Sequence, residues 1–377
     1  MTLMTIEMEI LGSMQEADAQ QWDALTAGSP LLSHAFLSML EETGCVGAGT
    51  GWQPHPLVVR RAGHLVGAMP LYLKSHSYGE YVFDWAWAEA YERNGMSYYP
   101  KFLGAVPFTP VSGARLLSAE QDIRALMAQV LGEQAERHGL SSAHVLFADT
   151  ETATTLRAAG WLERSGVQFR WENEGFSDFD DFLHRLAHDK RKKIRQERKK
   201  IVANGISCHA LHGAEIEPAH WDFFFRCYEN TYREHHSRPY LTRAFFHALG
   251  ERLPQHCLLI VAERAGEPIA AALNLIDRDV LYGRYWGATE YVPGLHFELC
   301  YYRAQEFCIT HGLRYFEGGA QGEHKLARGF RPRPTHSFHK IIHPDFEAAI
   351  RHFLEQEADG MAVYQSELEE RAPYKHV

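Results

Sequence analysis

Apolar positions along the chain switch repeatedly between alternation and a three-and-four spacing, which predicts strands and helices mixed in one α/β chain. Strands are expected at 57–61, 65–74 and 81–87, the first two joined by a turn at Ala62 and Gly63. Helices are expected at 17–26 and from Ser33 to Gly44, with Phe36, Leu37 and Leu40 as the buried stripe of the second. Ser118 and Gln121 stand at capping-box spacing before a helix that Gly139 stops. A strand, helix, strand series at 144–148, 153–159 and 167–171 then closes a first domain near residue 175. Between them, residues 91–117 form an irregular stretch rich in Gly, Pro and aromatics, and long loops of this kind tend to carry function.

A second pattern begins at Phe179, Phe182, Leu183 and Leu186 and continues through Ile194, Ile201 and Val202, which predicts a helix stopped by Gly205. Within it, residues 190–200 hold eight basic residues and one acid, a charge of +7, so the rest of the chain carries −17 to give the net −10. Lys192, Lys193, Arg195 and Lys199 on such a helix suit a polyanion such as a phosphorylated cofactor, tRNA or anionic headgroups, and equally suit a solvated helix paired with the acidic remainder. Beyond it the pattern repeats. CLLIVAERAGEPIAAALNLI echoes HPLVVRRAGHLVGAMPLYLK with Arg-Ala-Gly at an offset of 203, each copy preceded by a short helix and followed by an aromatic-rich strand. The repeat predicts a duplicated α/β domain with a mixed sheet, divided as 1–175, a basic connecting helix at 176–205, and 206–377. A strand at 335–342 and a helix from Asp345, with Phe346, Ile350 and Phe353 inward, close the chain.

The densest chemistry lies at 282–330. A strand at 281–286 leads to a helix at 296–311 with Phe297, Cys300, Tyr301, Ala304 and Cys308 on one stripe, and a strand at 313–317 follows. Gly318, Gly319 and Gly322 allow close approach of a ligand to backbone, and Glu323, His324, Lys325 and Arg328 place an acid, a base and two cations within six residues. Glu323 or His324 suits a general base, Lys325 and Arg328 suit an anionic substrate group, and Tyr301 or Tyr302 suits a proton donor. Tyr98, Tyr99 and Lys101 are candidate acceptor contacts in the first domain. The six cysteines show neither paired nor zinc-type spacing, so reduced thiols in a cytoplasm and no metal are expected, and His336, His339 and His343 do not share a strand face. The amino terminus lacks a basic n-region and no run of 18 apolar residues occurs, so membrane contact would be peripheral. Neither a GxSxG elbow nor a P-loop is present.

The runs YYPKFLGAVPFTP (98–110), KRKKIRQERKK (190–200) and GLHFELCYYRAQEFCITHGLRYFEGGAQGEHKLARGF (294–330) resemble a bacterial Fem-like family of peptidoglycan biosynthesis or recognition, regarded as N-acyltransferases. The resemblance spans nearly the whole chain and implies a tandem of GNAT-like domains. It implies transfer of an acyl or aminoacyl group from acyl-CoA or aminoacyl-tRNA to an amine, such as that of a peptidoglycan precursor. The alternative from another class is a binding protein for a cell-wall fragment or an RNA, without turnover. The [QR]xxGx[GA] loop that GNAT enzymes use for a CoA pyrophosphate is absent, since RYWGAT at 284–289 fails at its last position. An inserted helical arm of the kind tRNA-using Fem transferases carry has only the basic helix as a counterpart, so the donor stays open between CoA and tRNA.

Overall fold

The computed structural model describes residues 6–319, 322–371, 373 and 374. In chain order the first half runs β1 (Ile6–Ile10), α1 (Ala19–Leu25), α2 (His34–Glu42), β2 (Trp52–Pro54), β3 (Leu57–Arg61), β4 (His64–Met69), β5 (Leu71–Lys74), α3 (Trp85–Arg93), β6 (Lys101–Gly104), α4 (Gln121–Arg137), β7 (Ser142–Ala148) and α5 (Thr150–Ala158). There follow β8 (Leu162–Glu172), α6 (Phe179–Arg185), α7 (His188–Ala203), β9 (Ile206–His212), α8 (Pro218–Glu234), α9 (Arg243–Arg252), β10 (Cys257–Arg264) and β11 (Glu267–Asp277). The chain ends through β12 (Val280–Ala288), α10 (Leu295–Phe297), α11 (Ala304–Thr310), β13 (Tyr315–Glu317), β14 (Arg331–Ile341) and α12 (Pro344–Glu370). Side-chain caps fix several helix starts, as where Asp18 accepts from Gln21 N at 2.8 Å and Ser33 from Phe36 N at 3.1 Å.

The chain forms two compact units, Met1–Gly166 with Pro334–Val363, and Val167–Arg333 with Tyr364–Val377. In the first, β3 pairs antiparallel with β1 and β4, β5 pairs antiparallel with β2 and β6, β6 runs parallel to β7, and β14 closes antiparallel on β7. In the second, β9, β10, β11 and β12 are successively antiparallel, β12 runs parallel to β13, and residues 170–172 of β8 close antiparallel on β13. Each unit therefore takes its closing strand from the other half of the sequence. The boundary expected near 175 falls after Gly166, 334–363 folds with the first unit, and the basic segment is part of the second unit rather than a connector.

The duplication is visible at the level of single residues. Both hairpins turn on two successive positive-φ residues, Ala62 (50°) and Gly63 (82°), then Ala265 (52°) and Gly266 (84°), the backbone of a type I′ turn. A register shift falls between Val59 and Arg60 in one hairpin and between Ala262 and Glu263 in the other, at the same offset of 203. The fold is a mixed-sheet pair of GNAT-like halves.

Several local expectations differ. Residues 81–87 were expected as a strand, but α3 begins at Trp85, because Trp87 and Tyr91, four apart, bury one helical stripe. Ser118 donates to Val66 O at 2.6 Å instead of capping α4, whose N-cap is Glu120 without a side-chain bond. The basic helix breaks at Leu186 into α6 and α7. Phe353 is exposed while Ile350 and Leu354 are buried. Among the described residues no helix is long and apolar enough to cross a membrane.

Helix α8 lies against β12. Thr231 Oγ1 donates to Trp286 O at 2.9 Å and Asn230 Nδ2 to Ala288 O at 2.7 Å, and a Cβ on Gly287 would stand 2.0 Å from Cys227 O. Gly287→Ala must displace helix backbone, so it should destabilise by at least the roughly 1–3 kcal/mol of ordinary overpacking. Gly266→Ala, with open space around its Cβ, should cost only the roughly 1–2 kcal/mol of left-handed backbone. Thermal unfolding of both variants would show the larger loss at Gly287.

Candidate active site

The parallel ladder between β12 and β13 has three pairs, Val280 with Tyr315, Leu281 with Phe316 and Tyr282 with Glu317. Beyond them β12 runs on to Ala288 while the other chain turns off at Gly318 and Gly319, so the two strands part at their carboxyl ends. Clefts at such ends are common ligand sites in α/β sheets. Gly318 is packed tightly, since a Cβ there would stand 3.1 Å from Phe330, 3.3 Å from Lys325 and 3.3 Å from Tyr301.

The helix that joins the two strands starts at Gly294 in the left-handed conformation and is interrupted by a π-helical turn over Glu298–Arg303. That turn presents Tyr301 and Tyr302 side by side in sequence, both buried. A π-turn inside an α-helix is a frequent accompaniment of a functional site. Past Gly322 a 3-10 helix over Glu323–Arg328 brings His324, and Tyr301 Oη and His324 Nε2 share a hydrogen bond of 2.9 Å. The His296 and Phe297 rings pack around this pair. Burial holds the Tyr301 phenol well above its ordinary range, and burial followed by the charges of Arg328 and Lys325 lowers the His324 imidazole, so the pair is a neutral phenol beside a neutral imidazole at pH 7.

The two cations are engaged by the protein. Lys325, 1% exposed, donates to Gly319 O at 2.8 Å, and burial lowers its amine to about 8. Arg328, 3% exposed, stacks its guanidinium 3.5 Å from the Phe297 ring centre, donates Nη1 to His324 O at 2.8 Å and lies 3.2 Å from Glu197 Oε2. Neither cation reaches solvent as the anion clamp expected from the sequence, because both bond inward.

The family described as peptidoglycan biosynthesis/recognition, FemAB-like, matches residues 13–376. The chain belongs to the FemAB-like family. Its fold is similar to FemX, with a TM-score of 0.56 at 12% identity over 89% of this chain and 98% of that one. It is also similar to the C-terminal domain of a putative lysylphosphatidylglycerol synthetase from Agrobacterium fabrum, TM-score 0.53 at 11% identity over 92% and 97% of the two chains. A conserved protein of unknown function from Bacteroides thetaiotaomicron gives 0.51 at 11% identity over 89% and 100%. No curated protein matches the sequence significantly.

The other sequence candidates of this FemAB-like chain are placed as follows. Glu323 is exposed and points away from Tyr301, accepting from Arg371 at 2.7 Å and Tyr364 at 3.1 Å; the bond from Arg371 holds its carboxyl below the usual range, which leaves it a poor base. Tyr302 donates to Glu197 instead of joining His324. In the first unit, Lys101 is fully buried between Glu80 and Asp84, and Tyr98, also buried, bonds Asp84 at 2.6 Å, so neither offers a surface to an acceptor. Only Tyr99 of that trio is partly exposed, bonded to Ser77 at 2.8 Å. Lys192, Lys193 and Lys199 are exposed on α7, while Arg195 pairs with Asp180 at 3.0 Å. Among the described residues no cluster of His, Cys, Asp and Glu is placed to hold a metal.

Glu197, Glu80 and Asp84 were not picked out by sequence. Glu197 is the single acid of the basic run, and its spacing from Ile194 and Ile201 was the available signal.

Burial of Lys325 makes a pH-dependent contribution. The folded protein releases this proton near pH 8 while the unfolded chain holds it to about 10.5, so stability should rise with pH between the two values. Lys325→Met should remove that rise, which has a ceiling of about 3 kcal/mol. Denaturant unfolding of both proteins from pH 7 to 10 measures it, and parallel curves would contradict it.

Proposed function

We propose that the chain is an N-acyltransferase of the Fem type that moves an acyl or aminoacyl group to an amine acceptor in the cleft beyond Tyr282 and Glu317. The observation that carries this reading is the Tyr301–His324 hydrogen bond where the parallel strands part. His324, held neutral, takes the proton that the attacking amine loses as its nitrogen bonds to the acyl carbon. Tyr301 gives a proton to the departing group, the sulfur of CoA or the ribose oxygen of tRNA, and regains one from His324 through their shared bond. The family description makes a peptidoglycan precursor the favoured acceptor.

Incubation with acyl-CoAs or aminoacyl-tRNAs and a peptidoglycan precursor, read by mass spectrometry, tests the reading. Product should form, and Tyr301→Phe and His324→Gln should each lower kcat by about two to four orders of magnitude with melting temperature nearly unchanged. Activity should fall on the acid side below the ordinary histidine range, since burial lowers His324. Ligand-induced stabilisation without product would instead make the chain a binding protein.

Aminoacyl-tRNA is the favoured donor because α7 presents Lys192, Lys193 and Lys199 outward. Replacing these three by Gln should weaken tRNA binding and flatten its dependence on salt between about 50 and 200 mM, since fewer counterions are released. Equal salt slopes for the variant and the parent would remove α7 from the donor site.

A further inference from the structure

We infer that Glu197 is a positioning residue that sets both members of the Tyr301–His324 pair, an inference that rests on the transfer reading of that site. Helix α7 buries Ile194 and Ile201, and the same stripe carries Glu197 and Arg198 between them. Arg198 bonds Glu298 and Glu306, which tie the helix to the π-turn and to α11. Glu197 makes two connections. Its Oε2 accepts from the Tyr302 hydroxyl, which neighbours Tyr301 on the π-turn, so the carboxylate fixes how that turn presents its phenols. Both Glu197 oxygens face Arg328 Nη2, at 3.2 and 3.4 Å, and Arg328 Nη1 holds the backbone carbonyl of His324 at 2.8 Å.

Burying Arg328 against Phe297 is costly without an anion beside it, and Glu197 is the carboxylate within ion-pair distance of it among the described residues. The groups around the His324 ring are Arg328 and Lys325 on its own segment, Tyr301 with its hydrogen bond, and His296 at 6.2 Å between ring centres. Arg328 and Lys325 depress the imidazole, and Glu197 offsets the charge of Arg328.

Four proteins decide it: Glu197→Gln, Glu197→Asp, Tyr301→Phe, and the double variant Glu197→Gln with Tyr301→Phe. Glutamine keeps an acceptor for Tyr302 but removes the charge beside Arg328. Glu197→Gln should lower kcat about tenfold or more with KM within about twofold, the signature of lost transition-state alignment. In the Tyr301→Phe background the same change should cost less than about twofold, because residues that act through one another are not additive. Histidine NMR, with His324→Gln for assignment, should show the His324 midpoint falling in Glu197→Gln and returning toward the parent value in Glu197→Asp. Effects that multiply in the double variant, or a His324 titration unmoved in Glu197→Gln, overturn the inference. Should the parent protein turn over no donor, the transfer reading fails, and the His324 titration alone then decides whether Glu197 positions the pair.

Discussion

Two parallel strands that part must leave backbone groups that no neighbouring strand can pair, and buried peptide groups are rarely left unpaired. This constraint accounts for much of the second unit. Where β12 runs on alone, Thr231 and Asn230 of α8 supply donors to the carbonyls of Trp286 and Ala288, and Gly287 lets that helix come close enough to do so. Where the chain leaves β13, Lys325 takes the carbonyl of Gly319. The lysine that sequence alone marks as a substrate clamp is thus committed to holding the cleft open. Burial lowers its amine to about 8, so it does this while carrying less charge than a surface lysine.

The first unit meets the same constraint differently. Its parallel ladder, Phe102 with Ala143 through Gly104 with Val145, is followed by a return of its own chain, with Gly113 bridging Ala148 in parallel. Gly113 N donates to Phe147 O and Asp149 N to Gly113 O, both at 3.0 Å, and the buried Arg115 donates to Leu146 O and Val111 O. Beyond the ladder this half spends its backbone groups on itself. At the other end of the ladder lies a closed ionic cluster, in which Lys101 joins Glu80 and Asp84, and Tyr98 links Asp84 to His144 and on to His339. Burial keeps both histidines neutral, His339 down to about 3, and lifts Glu80 to about 7. Breaking one member of such a set leaves an uncompensated buried charge, so the cluster fixes the fold more than it offers a site. The two halves share a scaffold and differ in whether the parted strands are filled, which assigns the proposed chemistry to the second.

Legibility in the sequence follows the range of the interaction. The two Ala-Gly turns were readable because a tight hairpin demands positive φ at two successive positions, a local requirement. The helix carrying Tyr301, the glycine-flanked polar loop and the duplication were readable for the same reason. The exchange of closing strands was not, since nothing within β8 or β14 records which partner each will meet. Lys101 and Tyr98 read as exposed ligand contacts because a charge is assumed solvated until its partners are known, and Glu80 and Asp84 lie some twenty residues away. Residues 81–87 misled because alternating aromatics can be counted as a strand until Tyr91 reveals the helical interval.

Helix α7 shows how composition conceals a second pattern. A run of eight cations and one acid reads as a uniform basic surface, yet its ionic residues are sorted by face. Glu197 and Arg198 lie on the stripe of Ile194 and Ile201 and bond to the tyrosine-bearing turn and the Arg328 loop, whereas Lys192, Lys193 and Lys199 face outward. Buried ions need geometrically defined partners, and exposed ones gain little from any single partner in water. The inner face therefore fixes the position of the helix relative to the Tyr301–His324 pair. Its outer lysines are left with charge that no carboxylate on the helix can neutralise, because the one acid is already committed inward. A basic surface held in register with a catalytic pair is what a donor with a phosphate backbone requires, since the polyanion must be gripped at a fixed distance from the acyl group it delivers.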